Sequence, residues 1–510
     1  MASKVVFRIL LILDLVLSAA LGWAMYSTQL LAPQLVIMAA GLLMLLPLLL
    51  YLMQREKKGE NKKKGLRAAL IVLLLFLVLL EGAAFFFLNS YNRTMDRMTD
   101  GRTQVTRMTV YLKEDDLAQT MEYVLEREYV FGTLSYADQE AVTHTKDWIE
   151  SRYGHKITLK PYNSLLELIQ ALDEGEVNAL LISSAYLDLI GSLPEEYAKY
   201  QTSLRAMMES EVTTEIARPA TQQNTEIDEE TALTLRSPEL WKDSFVVYVS
   251  GIDSYGAVTV SARSDVNILA IVNKATKTVL LISTPRDFYV PFPFTGGSLD
   301  KLTHAGVYGV DCSIETLSSY YGLPIDYYLR VNFTGFIRMI DTLGGVDVDS
   351  DADFVNGDFH FQKGINHLDG KTALRFVRDR YSFGTEGDRA RGRHQMAVIK
   401  GVIKGLASFK MLTNYGEIMD ELADSFQTNA SKEVVGELVR MTLDLESGKW
   451  KVLTFSVNGY DRTDYSYALG CNAYVMAPEI KTVEYARKLV IAVASGETPT
   501  QSEVSNYSVG

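Results

Sequence analysis

Residues 245–284 read FVVYVSGIDSYGAVTVSARSDVNILAIVNKATKTVLLIST. Three apolar, β-branched runs stand out at 245–251, 267–273 and 278–284, bounded by Gly, Asp, Ser, Asn and Lys. Runs of this length with such boundaries belong to buried strands. Two more strands are expected at 327–332 and 452–457. Helical periodicity marks 314–321, 334–343, 389–408, 432–445 and 479–494, and Met396, Ile399, Ile403 and Leu406 give one apolar stripe. The mixture predicts an α/β domain over 243–495, with a central mixed sheet flanked by helices.

Upstream, residues 212–242 are polar and Thr-rich and read as a linker. Residues 104–211 carry a second, smaller α/β pattern. Strands are expected at 105–112, 129–134 and 179–182, and helices at 117–126, 137–153 and 164–174. Residues 90–103 read as a polar stalk, and 496–510 as a disordered tail.

Residues 1–89 contain three apolar stretches, at 5–25, 35–53 and 68–88. Each is long enough to cross a hydrocarbon core of about 30 Å. The first is not read as a cleaved signal, because a second span follows closely. The loop 54–67, QREKKGENKKKGLR, is strongly basic, whereas the link between the first two spans is uncharged. The positive-inside rule then places the loop and the N-terminus in the cytoplasm and everything after about Ser90 outside. Asp14 and Glu81 lie within spans, where acids either serve function or face a helix contact; the helix contact is the expectation.

The formal net charge of the 510 residues is −13, which excludes a protein built to coat nucleic acid. Residues 1–89 carry nine basic and four acidic side chains, so the excess acid lies downstream. Against that background, six arginines fall between Arg375 and Arg393, with no lysine among them. A guanidinium keeps its charge and presents a planar donor fork that fits phosphate oxygens. Cys312 and Cys471 have no zinc-type spacing and are read as two separate thiols rather than a disulfide.

The chemistry-bearing residues gather where strands end. The first strand of the domain runs into Gly251-Ile252-Asp253, and Arg263-Ser264-Asp265 opens the second. The third ends in Thr284-Pro285-Arg286-Asp287. Ligands of α/β sheets collect beyond strand ends. Two carboxylates beside arginines can hold a divalent cation, since magnesium takes one or two carboxylates plus phosphate oxygens. Arg378 and Arg380 point the same way only if their segment is extended beyond a helix near 371–376. Asp388, Arg391 and Gln395 share one face of the helix expected from 389, with Asp388 as cap or as partner to Arg391. His304 and His394 are candidate bases, although a single histidine near a loop is more often structural. The sequence has no Gly-x-x-x-x-Gly-Lys-Ser/Thr loop, no His-Glu-x-x-His and no Gly-x-Ser-x-Gly.

In order, GIDSYG (251–256), ARSDVNIL (262–269), LISTPRDFYVP (281–291), DKLTHAGVYG (300–309), LGGVDVD (343–349), LDGKTALRFVRDRYSF (368–383) and GDRARGRHQ (387–395) resemble the LytR-CpsA-Psr domain. The three spans and the 104–211 segment resemble the accessory part of its capsule-type members. The resemblance implies a phosphotransferase that moves a glycan polymer from an undecaprenyl-pyrophosphate carrier to peptidoglycan, at the MurNAc C6 hydroxyl, through a phosphodiester. The product would be capsule, teichoic acid or another secondary wall polymer. It implies an apolar prenyl pocket between sheet and helices, with Mg2+ or Mn2+ at its mouth. By motif, Asp253 and Asp265 would sit at the metal, and Arg263, Arg286, Lys301, Arg378, Arg380, Arg391 and Gln395 would grip the pyrophosphate, with Asp388 orienting the grip. Asp253, Asp265, Arg378 and Arg380 are the residues assigned to catalysis, either aspartate being the candidate base. His394 stands where many relatives carry Asn or Arg. Expected partners are the lipid-linked glycan, peptidoglycan, membrane lipid and wall-polymer assembly proteins, with no nucleic acid. The alternatives are a membrane-bound transcriptional attenuator and a non-catalytic polyprenyl-pyrophosphate receptor. Hydrolysis of the pyrophosphate at the same site is a further alternative.

Overall fold

The computed structural model describes residues 2–28, 33–54, 64–99, 103–136, 138–216, 227–254, 258, 260–379, 382, 387–406, 426–431, 434–435 and 450–505. The chain divides into two compact units, the first built on the N-terminal helices and the second holding both large sheets.

Three helices, Ala2–Ser27, Pro33–Gln54 and Lys64–Thr99, form the N-terminal part of the first unit. Their segments Val5–Ser27, Gln34–Leu52 and Ala68–Arg93 are long and apolar enough to span a bilayer. Most large apolar side chains on them face outward, as lipid-facing residues do. The two acids face inward: Asp14 and Glu81 are buried, and Ser18 Oγ donates to both Glu81 oxygens at 2.8 and 3.0 Å. A helix contact is therefore their place, as expected. The polar stalk expected at 90–103 is instead largely a continuation of the third helix to Thr99. Tyr91 is buried, and Asn92 Nδ2 donates to Ser27 Oγ at 2.6 Å. Polar residues continue a helix where one face still has a partner.

In the second unit, the smaller sheet comprises β1 (Thr103–Lys113), β2 (Val130–Leu134), β3 (Thr158–Tyr162), β4 (Ala179–Ser183) and β5 (Leu204–Glu215), in the order β3-β2-β4-β1-β5. Helices Gln139–Tyr153 and Leu165–Asp173 cover it, the latter capped by Ser164 and followed by Gly175 at φ 79°. The expected helix over 117–126 forms only at Met121–Glu126, after its Thr120 cap. β5 reaches Glu215, so the linker expected from 212 begins with strand. It also contains the helix Glu229–Arg236, capped by Asp228, with Leu235 buried in the main core. One buried residue in eight leaves no periodic signal to read.

The larger sheet contains β6 (Ser244–Ile252), β7 (Ser264–Asn273), β8 (Thr278–Ser283), β11 (Tyr327–Asn332), β16 (Phe426–Thr428) and β17 (Lys451–Ser456), in the order β16-β11-β6-β7-β8-β17. Between β8 and β11 lies a ribbon of β9 (Tyr289–Phe292) and β10 (Ser298–Lys301). Further ribbons pair β12 (Val346–Ser350) with β15 (Gly364–Leu368), β13 (Phe354–Asn356) with β14 (Phe359–Phe361), and β18 (Gly459–Ser466) with β19 (Cys471–Pro478). Helices Val310–Tyr321 and Ile480–Ala494 contribute Ile314, Leu317, Val483, Leu489 and Val493 to the core against Val246, Leu269, Ile271 and Leu280. The tail expected to be disordered from 496 includes the helix Gln501–Ser505. Its Gln501 side chain receives Thr454 N at 2.9 Å and donates to Thr454 O at 2.9 Å, and Val504 is fully buried. A glutamine amide thereby completes the hydrogen bonding of edge strand β17, a local device with no periodicity. The helix expected at 432–445 lies outside the described residues, apart from two positions.

The two sheets of this unit pack as neighbours. Val310 N donates to Gln104 Oε1 at 3.2 Å, Leu166 N to Leu469 O at 2.9 Å, and Tyr136 OH to Ala468 O at 3.1 Å. Val105 also bridges Val260. Val307, Ala468 and Leu469 join the core of the smaller domain, and Tyr136 packs between Tyr308 and Tyr467 with centroid separations of 6.2 and 5.1 Å.

Candidate active site

β6, β8, β11 and β17 run one way and β7 runs the other. The carboxyl ends of four strands therefore meet the amino end of β7 along one edge. Asp253, Arg263, Asp265 and Arg286 all fall there, because the sequence places each within three residues of a strand end.

Asp253 and Arg263 face each other across the open end of β6 and β7. Asp253 N donates to Arg263 O at 3.1 Å, and Arg263 Nη2 donates to Asp253 Oδ2 at 2.5 Å. Next to them the β6–β7 register slips: Gly251 pairs with Val266 and Ile252 with Ser264, which leaves Asp265 as the extra residue. Such a bulge re-aims a side chain. It needs Gly251, where a Cβ would stand 2.6 Å from Val266 Cγ2. Asp265 is turned towards the loop after β8, where Arg286 Nη1 donates to both its oxygens at 2.6 and 2.7 Å and Thr303 Oγ1 donates at 3.3 Å.

Lys301 belongs to the same cluster. Its Nζ lies 3.9 Å from Asp287 Oδ1, and Asp287 Oδ2 lies 3.5 Å from Arg286 Nε. Burial pushes the Lys301 ammonium below its usual range; Arg286 and Arg263 push it further, against Asp287 and Asp300. Beneath it, the fully buried Asp300 accepts from Lys301 N, Ser466 Oγ and Ala468 N at 2.8, 2.6 and 2.7 Å and meets His304 Nδ1 at 2.9 Å. Burial pushes this carboxyl up, but the His304 ring and these donors outweigh it and hold it below the usual carboxylate range. His304 is thus held as a support for the β10 end.

Arg378 is the last residue of helix Gly370–Arg378, so the extended geometry expected for it does not hold; the helix continues two residues past 376. Its exposed guanidinium lies 4.5 Å over the ring of Phe333, whose N–H donates to Ser254 O at 3.1 Å. Arg378 is thereby tied to the segment that follows Asp253 rather than to the acid pairs themselves. Arg380 lies outside the described residues. The helix expected from 389 begins at Gly387, which puts Asp388 within its first turn instead of before it; the Asp388 side chain is also outside the description. Arg391 and Gln395 are buried on that helix. A Cβ on Gly392 would stand 2.8 Å from Ser283 Oγ, so this helix packs against the end of β8. His394 is buried between Phe354 and Phe376, 4.9 and 4.3 Å from their centroids, and its Nδ1 lies 3.2 Å from Phe376 O. That is a core position. Cys312 and Cys471 are free, as the sequence reading favoured.

A family model for the LytR_cpsA_psr family matches residues 206–486, more than half of the chain. The chain belongs to this family. Among similar proteins, the polyisoprenyl-teichoic acid–peptidoglycan teichoic acid transferase TagU of Bacillus cereus is 37% identical over 188 residues, which is 37% of this chain and 60% of that protein. The corresponding TagT of Bacillus subtilis is 36% identical over 233 residues, 43% of this chain and 69% of that protein. A crystal structure of B. subtilis TagV matches at 28% identity over 51% of this chain and 99% of that one, with a TM-score of 0.42.

Within this LytR_cpsA_psr domain, several supporting residues escaped the sequence reading. Asp379, 2% exposed, accepts from Asn356 Nδ2 at 3.1 Å and Ser382 Oγ at 3.0 Å, which pins the segment between Arg378 and Arg380. Arg330, 1% exposed, reaches from the middle of β11 to donate to Val260 O at 3.0 Å, and burial pushes its guanidinium down to about 10. A charge inside an alternating strand gives no sign of its partner in sequence. Asp300, on β10, and His304, on the helix that follows, share no periodicity that marks them as a pair.

Asp253 and Asp265 hold carboxylate oxygens at one sheet edge, each already accepting from an arginine, and such oxygens are the donor type a hard divalent cation takes. Among the described residues no group of three or more His, Cys, Asp or Glu is placed to hold a metal. A cation here would therefore rely on ligand oxygens for the rest of its shell, which is the usual manner of magnesium.

Proposed function

We propose that this protein is a membrane-anchored phosphotransferase that moves a glycan polymer from an undecaprenyl-pyrophosphate carrier to peptidoglycan. The supporting observation is the pair of arginine–aspartate contacts, Arg263 with Asp253 and Arg286 with Asp265, set side by side at one sheet edge of a LytR_cpsA_psr domain. Curated relatives carry the name polyisoprenyl-teichoic acid–peptidoglycan teichoic acid transferase, and the reading adopts that substrate class. The acceptor is a peptidoglycan sugar hydroxyl, with the MurNAc C6 hydroxyl as the specific assignment; the polymer is a teichoic acid, a capsular polysaccharide or another wall glycan. The basic loop at 54–67 stays in the cytoplasm, and residues beyond the third span work on the wall side.

In this mechanism the hydroxyl oxygen attacks the phosphorus next to the glycan. A new O–P bond forms, the bond to the lipid phosphate breaks, and lipid monophosphate leaves with its electron pair. Arg263, Arg286, Lys301, Arg378, Arg380 and Arg391 are assigned to the phosphoryl oxygens, with Gln395 as an additional donor and Asp388 orienting Arg391. Such transfers are driven mainly by positioning and by charge stabilisation. Asp253 and Asp265 would hold Mg2+ or Mn2+, which would add positive charge at the diphosphate.

The test uses the full chain in nanodiscs and a radiolabelled lipid-linked glycan, with and without peptidoglycan. Label on peptidoglycan supports transfer. Free glycan phosphate in both samples indicates a hydrolase, and binding without turnover indicates a receptor.

A further inference from the structure

The smaller α/β domain places one carboxylate beside the candidate site. Asp188 sits on the short helix Leu187–Ile190 that follows β4. Its Oδ2 lies 3.9 Å from Arg263 Nη2, the same nitrogen that donates to Asp253. Asp188 lies outside the 206–486 span matched by the family model, so this acid comes from the accessory part of the chain.

Of the four carboxylates beside Arg263 and Arg286, Asp287 is buried, 3.5 Å from Arg286 Nε and 3.9 Å from Lys301 Nζ, and the other three are not equivalent. Both oxygens of Asp265 accept from Arg286, and Asp253 accepts from Arg263 at 2.5 Å. Asp188 accepts no hydrogen bond from the described residues, and its side chain is 52% exposed. A carboxylate clamped by a guanidinium, or shared with a cation, is a poor proton acceptor. An exposed carboxylate also repels an incoming diphosphate, so it serves no purpose as part of the anion grip. A hydroxyl entering next to the phosphorus, by contrast, needs an acceptor for its proton.

We propose that Asp188 is the acceptor-side carboxylate of the site: it receives the hydrogen bond of the incoming sugar hydroxyl and takes its proton. The proposal rests on the transferase reading above. The hydroxyl proton passes to Asp188 as the oxygen–phosphorus bond forms, lipid monophosphate departs, and Asp188 then releases the proton to water. The accessory domain thereby completes the transfer site. Its docking does not depend on Asp188, because Gln104, Leu166 and Tyr136 make the cross-domain hydrogen bonds.

The experiment compares wild type, Asp188→Asn and Asp188→Glu as full chains in nanodiscs. Transfer to peptidoglycan is measured across pH, and binding of geranylgeranyl diphosphate is measured alongside as the report on folding and on the anion grip. The expected result is a kcat at least tenfold lower in Asp188→Asn, loss of the acid limb of its pH profile, unchanged or tighter probe binding, and partial recovery in Asp188→Glu. Wild-type kcat and pH profile in Asp188→Asn would overturn the proposal, as would a loss of transfer matched by an equal loss of probe binding, which would mark Asp188 as a support for Arg263. If wild type itself moves no glycan to peptidoglycan, it is the transferase reading that fails.

Discussion

Arg286 Nη1, in the loop that follows β8, donates to both carboxylate oxygens of Asp265, at the start of β7, at 2.6 and 2.7 Å. The two side chains come from separate motifs 21 residues apart, and a single bulge residue brings them into register. The pair fixes one wall of the candidate site before any ligand arrives. Preorganised charge of this kind carries most of the rate enhancement in group transfers.

Arg286→Lys is expected to lower transfer by at least two orders of magnitude, because an ammonium cannot reproduce the planar fork. Asp265→Asn should do the same and also cost about 1–3 kcal/mol of stability, since a charge-assisted hydrogen bond is lost and a partly buried guanidinium keeps its charge. Activity assays paired with urea melts check both. Full activity in Arg286→Lys would contradict the assignment.

Lys301 predicts an alkaline limit. Burial, with Arg286 and Arg263 nearby, lowers its pKa below the ordinary 10.5. Its charge is therefore lost as pH rises through that lowered value, and affinity for a diphosphate should fall there, earlier than for an exposed lysine. Lys301→Arg should move the limb to higher pH. Binding of inorganic pyrophosphate measured between pH 8 and 11 provides the check.

The acid side is governed by a different residue. Burial chiefly lowers the His394 pKa from 6.5, with Asp351 opposing. In the window below 6.5 and above the folded value, the unfolded chain takes up a proton that the native chain refuses. Stability therefore rises with pH through this window and is lost as pH falls through it. His394→Phe, which keeps the stacking on Phe354 and Phe376, should flatten that dependence. Transfer should stay within a few-fold of wild type, because this ring is a core group and not a base. Melting temperature against pH, read beside kcat, tests both halves.

Much of this is legible in the sequence alone. β6, β7 and β8 were read within three residues of their bounds, because continuous Val, Ile and Leu runs are the signature of strands buried on both faces. Asp253, Arg263, Asp265 and Arg286 were readable as a group because each follows or precedes such a run. The bulge that aims Asp265 was not, since a one-residue slip leaves no compositional trace. Nor was the helical state of Arg378: an arginine at a helix end and an arginine just beyond it look alike. The helix Glu229–Arg236 and the Gln501 contact escaped for a related reason, as each is held by one or two side chains rather than by a repeating pattern.

Arg330 offers the sharpest separation of stability from function. Its guanidinium is buried and donates to Val260 O, in the connection that leads from Asp253 to Arg263. Burying that charge is costly, and burial already lowers its pKa to about 10. An apolar side chain of similar volume avoids the cost of keeping an unpaired charge away from water. Arg330→Met is therefore expected to leave the urea midpoint unchanged or raised. The same change leaves Val260 O without its donor and frees the connection carrying Arg263. Affinity for geranylgeranyl diphosphate should fall several-fold while the fold holds. A variant that is both destabilised and normal in binding would show that Arg330 serves the core alone.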